Sequence, residues 1–318
     1  MKIIVTGAAG FIGFFLSQRL LADGHYVTGI DNFYRGNYEN IKELNKYTNF
    51  KFVKKDLVSD NINSLFKNVD VVYHLAAVNG TKHFYDNPLT VLDVNVKGTL
   101  NVLNGVQSNH VKKFVFASSS EVYHNADKIP TPETEKIWME DTTNPRFTYA
   151  MSKVIGEMYT IWGSKAYNFD YSILRIFNSY GPRMDTSEYG QVVPEFIKKT
   201  LTDKVFTLIG DGKQKRSFCY VDDTVEMIIR SSKIKNVIMN IGNDKEITML
   251  ALAKKIHYLC NKKLTLKHLK PREGDVIRRV PDISLAKKLL KYSPSVTLDE
   301  GLKKTVEWYK KSLGVSSK

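Results

Sequence analysis

Cysteine is almost missing: Cys219 and Cys260 stand far apart in 318 residues, with no Cys-x-x-Cys pair and no His/Cys cluster. That excludes a disulfide framework and a structural zinc site, so no metal is expected, and a reducing cytoplasm is the expected compartment. Proline is sparse as well, nine in all, and no Pro- or Gly-rich linker divides the chain. A chain of this length buries a full core, and a second domain without a tether must be interleaved with the first. Long apolar runs are lacking. Residues 2–5 and 11–16 have something of a signal peptide's hydropathy, but the glycines between them fall at a phosphate-binding spacing and Arg19 ends the stretch. No other segment approaches a membrane span. Acidic charge is in deficit, 33 Asp+Glu against 47 Lys+Arg, a net +14. The surplus lysines lie scattered in pairs such as Lys54-Lys55 and Lys262-Lys263, without the basic helix or aromatic-basic ladder of a nucleic-acid module. Neither nucleic acid nor membrane is therefore expected as a partner.

What is present begins at the N-terminus. Residues 2–6 read as a short apolar strand, Gly7-Ala8-Ala9-Gly10-Phe11-Ile12-Gly13 as a glycine turn, and residues 14–23 as a helix stopped by Gly24. Such a turn lets the backbone approach a pyrophosphate, whose charge meets the N-terminus of the helix. A second strand over 25–30 ends at Asp31, placed to accept hydrogen bonds from a ribose; that favours NAD over NADP, with Arg35 as the one nearby cation that would suit a 2′-phosphate. Strands over 50–53, 69–75 and 113–117 follow, with a helix over 91–107 between the last two. This alternation predicts an α/β fold, a Rossmann-type doubly wound parallel sheet. Its ligand edge would gather Gly7, Asp31, Asp56, Ala76 and residues 118–121, while His74, inside an apolar strand, reads as a packed core histidine.

Downstream, Tyr149 and Lys153 stand four residues apart, on one face of a helix. An ammonium there favours the phenolate, which would make Tyr149 a base near neutral pH. Taken with the hydroxyl-rich Ser118-Ser119-Ser120-Glu121 segment, the pair marks a candidate reaction centre.

These motifs together resemble the extended short-chain dehydrogenase/reductases, in particular their NAD-dependent nucleotide-sugar epimerase/dehydratase branch. The likeness is carried by the glycine turn, Asp31-Asn32, Asp56-Leu57, His74-Leu75-Ala76-Ala77, Asn95-Val96-Lys97-Gly98-Thr99, Ser118 to Tyr123, and Tyr149 to Lys153. It continues through Arg175 to Pro182, Gly210-Asp211-Gly212, Arg216, Phe218 to Asp223, and Pro271 to Asp275. The resemblance implies a catalytic set of Ser119, Glu121, Tyr149 and Lys153. It implies NAD held by Gly7, Gly10, Phe11, Ile12, Gly13, Asp31, Asn32, Asp56, Leu57, Leu75, Ala76, Ala77, Asn95, Tyr149 and Lys153. A nucleotide-diphosphate sugar would be held by Ser119, Ser120, Asn178, Val193, Arg216, Arg272 and Arg279, with the two arginines 216 and 272 on the diphosphate. Tyr220 is either a stacking partner for the base or a strand aromatic. An NAD-binding domain over 1–177, an interleaved smaller α/β substrate domain over 178–318, and a homodimer built on helices 91–107 and the Tyr149 helix are implied in the same way.

Glu121 bears on the reaction, with a carboxylate salt-bridged to a neighbour as the alternative to a base. Simple 4-epimerases place a small or hydroxyl residue there, because oxidation at C4, rotation and re-reduction need no further base. A glutamate instead resembles the Ser-Glu of 4,6-dehydratases, where it would take the C5 proton, and of UDP-glucuronate decarboxylases, which also use an arginine in an Arg-x-Pro-Asp segment, here Arg279-Val280-Pro281-Asp282. The decarboxylase helix usually reads Tyr-Asp-Glu-Gly-Lys where this chain has Tyr-Ala-Met-Ser-Lys, and His124-Asn125 replaces the glycine that commonly follows Val-Tyr. Dehydration is the first expectation, 4-epimerisation the second and decarboxylation the third. A non-catalytic dinucleotide-binding regulator on the same fold is the reading from a different class.

Overall fold

Runs rich in Val, Ile and Phe form the strands, and helices cover both faces of the sheet they make. The computed structural model describes residues 1–137, 139–187, 190–270 and 276–314. Its main sheet holds β1 (Lys2–Thr6), β2 (Tyr26–Asp31), β3 (Phe50–Lys54), β4 (Val71–His74), β5 (Lys113–Ser119), β6 (Asp170–Ile176) and the strand Val237–Ile241. All seven run parallel, and β1 lies between β2 and β4. The order therefore reverses between β1 and β4, the switch point at which such sheets open a ligand crevice beyond the strand ends. This is the Rossmann-type sheet expected from the sequence.

The period-two pleat sorts the strand residues into two cores. Ile3, Val5, Val115 and Leu174 face one side with Phe14 and Leu20, while Ile4, Val72, Phe114, Phe116 and Ile173 face the other with Phe66 and Val102. Each fully buried side chain of this size stabilises the fold by about 1.5–3 kcal/mol, before chain entropy is set against it. The helix Phe147–Tyr167 approaches the second face closely because Gly156 has no side chain: a Cβ there would meet the Phe116 ring at 2.4 Å. That close seat sets Tyr149 and Lys153 over the end of β5.

The expected helix over 91–107 is interrupted. Pro88–Leu92 and Gly98–Ser108 are α-helical, and Asp93–Lys97 between them is one widened π turn, which turns Asn95 inward. Beyond residue 178 the chain forms small sheets: Ser179–Tyr180 with Cys219–Tyr220, Phe206–Ile209 with Leu266–Leu269, and Lys215–Ser217 between Glu246–Thr248 and Arg278–Arg279. The two halves interleave, since Val237–Ile241 returns to the edge of the main sheet and the Val221–Ser231 helix packs on the Phe11–Ala22 helix. Among the described residues no helix is long and apolar enough to cross a membrane, and no group of His, Cys, Asp and Glu is arranged to hold a metal.

Candidate active site

A single cleft of about 2150 Å³ runs along the carboxyl ends of the strands. A pocket for one small ligand holds roughly 300–1,000 Å³, so this cleft has room for two. It is lined at one end by Gly7, Gly10, Phe11, Ile12, Gly13, Asp31, Asn32, Asp56, Leu57, Leu75, Ala76 and Ala77, and further along by Ser119, Ser120, Glu121, Tyr149, Lys153, Asn178, Val193, Arg216 and Arg279. Of the residues singled out in the sequence, Arg272 lies outside the described residues.

The cofactor end is made of backbone. Gly7 turns at φ +74°, a left-handed conformation that favours glycine. A Cβ on Gly13 would sit 2.0 Å from the Gly7 carbonyl oxygen, so only glycine permits the turn to close on the first turn of the Phe11–Ala22 helix. Gly10 caps that helix without a side-chain bond. The helix N-terminus is thus left to the cleft, in the form that binds a phosphate. Asp31 is fixed by the Phe33 amide at 2.7 Å and the Ala9 amide at 3.1 Å, at the position of a ribose acceptor. Arg35 is engaged by other groups. Its guanidinium bonds the carbonyl and side chain of Asn79 and pairs with Asp185 at 3.0 Å, which removes the nearby cation that would have suited a 2′-phosphate. The donor set therefore fits NAD.

Asn95 takes a different part from the cofactor contact expected of it. It is buried, does not line the cleft, and spends its amide on the N–H of Val78 at 2.8 Å, the carbonyl of Val78 at 3.1 Å and the Ser152 hydroxyl at 3.0 Å. It braces the loop after β4 against the helix of Tyr149. His74 is the core histidine expected, bonded to Thr6 and Thr99, and burial together with the Lys153 charge drives it down to about 3.

At the centre of the cleft, β5 ends in Ser119, whose hydroxyl accepts from the Glu121 amide at 3.2 Å and caps the short turn Ser120–Tyr123. Tyr149 stacks on Phe84 at 5.0 Å, and the Lys153 ammonium lies 5.7 Å from the Tyr149 ring while donating to the Ala117 carbonyl at 2.9 Å. The expected lowering of the phenol by Lys153 is not present in the protein by itself. Burial pushes Tyr149 up to about 12, against a hydrogen bond with Ser119 that pulls it down, and burial brings Lys153 down to about 7 despite the Glu157 carboxylate. Desolvation disfavours both charged forms more than their separation rewards them. A cationic nicotinamide ring beside the phenol is what would tip the balance.

Glu157 itself is locked in a buried pair with Arg175 at 2.7 Å and accepts from Ser118 at 2.5 Å. That network ties β5, β6 and the Tyr149 helix together just below Ser119.

Glu121 is not the free base expected from the sequence. Arg279, brought to it from 158 residues away, grips both its oxygens, the second at 3.3 Å. Burial raises the carboxyl, but the Arg279 charge and bond, with Arg146 and Arg216, outweigh it and hold Glu121 below the usual carboxylate range. Arg216 lines the cleft, yet its donors go to the carbonyls of Lys215, Val276 and Ile277, so its guanidinium braces its own strand and the segment before Arg278. Tyr220 is a buried strand aromatic set edge-on against Tyr180 at 5.6 Å; no face of it is left for a base. Arg146 was not singled out from the sequence. It precedes the Tyr149 helix and lines the cleft beside Glu121, and its nearness to Tyr149 in the chain was the only signal.

Comparison with known proteins follows the same division. The family model described as NAD dependent epimerase/dehydratase family matches residues 3–242. UDP-glucuronic acid decarboxylase 2 of Arabidopsis thaliana is 37% identical over 306 residues, which are 95% of this chain and 66% of that protein, so the chain spans about two thirds of the plant relative's length. A UDP-N-acetyl-alpha-D-glucosaminuronate decarboxylase of Bacillus cytotoxicus is 33% identical over 319 residues, 97% of this chain and 98% of the relative. Among solved structures, UDP-glucuronic acid 4-epimerase from Bacillus cereus, in complex with UDP-glucuronic acid and NAD, superposes with a TM-score of 0.87 at 31% identity, over 98% of this chain and 100% of that one.

Proposed function

This chain belongs to the NAD dependent epimerase/dehydratase family, and on that premise we propose that it is an NAD-dependent lyase that removes the carboxylate of a nucleoside-diphosphate uronic acid after oxidising its C4. The observation that carries this reading is the part-buried Glu121–Arg279 pair beside Ser119 and Tyr149. Arg279 spends its planar fork on Glu121 and keeps that carboxylate ionised where it would face a sugar carboxylate. The three relatives described above are named for UDP-uronic acids, substrates that carry a sugar carboxylate.

NAD, when bound, would supply a reversible hydride acceptor for C4, which keeps the overall reaction redox-neutral. Tyr149 takes the proton of the C4 hydroxyl, Ser119 donates a hydrogen bond to the oxygen as it becomes a ketone, and Lys153 supports the phenolate. The sugar carboxylate is then β to a ketone. The C5–C6 bond breaks, carbon dioxide leaves, and the electron pair passes into the C4–C5 enolate, which takes a proton from solvent at C5. Glu121, held ionised by Arg279, faces the sugar carboxylate with like charge, and loss of carbon dioxide relieves that repulsion. Tyr149 finally returns its proton to the C4 oxygen.

The second reading is C4 epimerisation of the same substrate, which needs only Ser119, Tyr149 and Lys153 and is the activity named for the Bacillus cereus neighbour. Dehydration, first on the sequence, requires Glu121 free to take the C5 proton and now ranks third. Incubation of the NAD-loaded protein with UDP-glucuronic acid, read by NMR, tests the proposal. A UDP-pentose is expected; a UDP-hexuronic acid inverted at C4 would replace it by the second reading.

Residues 1–177 are assigned to cofactor binding and 178–318 mainly to the nucleotide sugar. The two buried thiols, Cys219 and Cys260, suit the cytoplasm. A second copy is the partner proposed for the apolar face on which Leu89 is 76%, Trp162 60% and Met158 54% exposed. Light scattering behind size exclusion should give twice the 36.3 kDa chain mass.

A further inference from the structure

The charges at the sugar end do not balance around the Glu121–Arg279 pair. Glu121 occupies both terminal nitrogens of Arg279, so that guanidinium is already engaged by a protein carboxylate. A second guanidinium, that of Arg146, borders the same part of the cleft. Its Nε is buried without a hydrogen-bond partner, as is that of Arg279, and Arg146 makes no salt bridge among the described residues, although its charge is felt at Glu121. The two acids nearest in the chain are spoken for: Asp141 accepts from Thr143 at 2.7–2.8 Å, and Glu140 faces His124 at 3.7 Å.

Arg146 also occupies the N-cap of the 21-residue Tyr149 helix, whose first turn holds no acid. A cation there opposes the helix dipole, an arrangement that costs stability unless an anion sits between the two. A buried donor without a partner adds a further cost of roughly 1–3 kcal/mol. Both costs fall away when a carboxylate enters the cleft at this point.

We propose that Arg146 is a specificity-determining residue that binds the carboxylate of the uronic acid. It leaves Arg279 with Glu121 and so separates binding of the substrate's charge from the pair that drives carbon–carbon cleavage. This inference rests on the uronic-acid reading above. Because the bond is made to the carboxylate on binding and is not strengthened as carbon dioxide leaves, its loss belongs in KM and does not lower kcat.

The test uses NAD-loaded protein in the Y149F background, where the sugar is not turned over. Binding of UDP-glucuronic acid and of UDP-glucose is measured by titration calorimetry with and without R146Q. The Y149F parent is expected to prefer the uronic acid. R146Q should weaken UDP-glucuronic acid by roughly ten- to a hundredfold, the range of a charge-assisted bond, and UDP-glucose by less than about twofold. The unchanged UDP-glucose affinity reports that the variant is folded. In the Tyr149 enzyme, R146Q should raise KM for the uronic acid with kcat within about threefold. Equal weakening of both ligands would place Arg146 on the diphosphate and overturn the proposal, and so would an unchanged preference. A Y149F parent that binds both sugars equally would instead overturn the uronic-acid reading, and this inference with it.

Discussion

At the cofactor end of the cleft the protein meets its ligand with backbone, over the few residues from Gly7 to Gly13 and the carboxylate of Asp31. The proposed sugar end is lined instead by charged side chains, Glu121, Arg146 and Arg279, drawn from three distant segments. A site made of backbone is stiff and fixed by local conformation, and it tolerates little change. Side chains assembled from distant segments can be exchanged one at a time, and this is where a fold shared by epimerases and decarboxylases can change its reaction.

The largest expected effect breaks the backbone end. G13A would bring a Cβ to 2.0 Å from the Gly7 carbonyl, which the turn cannot absorb. The purified variant should retain no NAD and show no turnover, checked by absorbance of the released cofactor. Retention of wild-type NAD content would mean that the turn is softer than described.

E121Q acts at the other end. Glutamine keeps an oxygen toward Arg279 but removes the like charge that faces the sugar carboxylate. Carbon dioxide release should fall by about 100-fold or more, while NAD content holds and the affinity for UDP-glucuronic acid rises as the repulsion is lost. If C4 oxidation, seen as a transient absorbance at 340 nm, failed equally, the pair would be supporting Tyr149 rather than cleaving a bond.

The smallest effect lies where the two ends meet. Burial lowers Lys153 from its usual 10.5 to about 7, so between those values the unfolded chain binds more protons than the folded one. Lys153 thus costs stability in full at pH 7 and below, and the cost fades as pH rises toward 10.5. K153M should raise Tm by a few degrees at pH 6, with the gain shrinking toward pH 10. A gain independent of pH would trace it to packing.

The backbone end was legible in the sequence because its parts are contiguous. The strand, the glycines and the acid at the end of β2 follow one another within residues 2–31, and Tyr149 and Lys153 share one helical face. The sugar end was legible only in pieces. Glu121 and Arg279 were each recognised, but nothing in the linear order says that they grip one another across 158 residues, and so Glu121 was read as a free base. Asn95 fell where cofactor contacts were expected and was turned inward by a π turn that hydrophobic spacing does not reveal. Tyr149 and Lys153 share a helical face and both line the cleft, yet their burial, which decides the charge of both, is a property of the packed protein. Arg146 went unseen because an unpaired guanidinium is defined by absent neighbours.

Reaction of the NAD-loaded protein with UDP-glucuronic acid in deuterium oxide tests the central claim most directly. A broken C5–C6 bond requires one solvent deuteron at C5 of a UDP-pentose, with one equivalent of carbon dioxide released. A hexuronic acid inverted at C4, with hydrogen retained at C5 and no carbon dioxide, would contradict it.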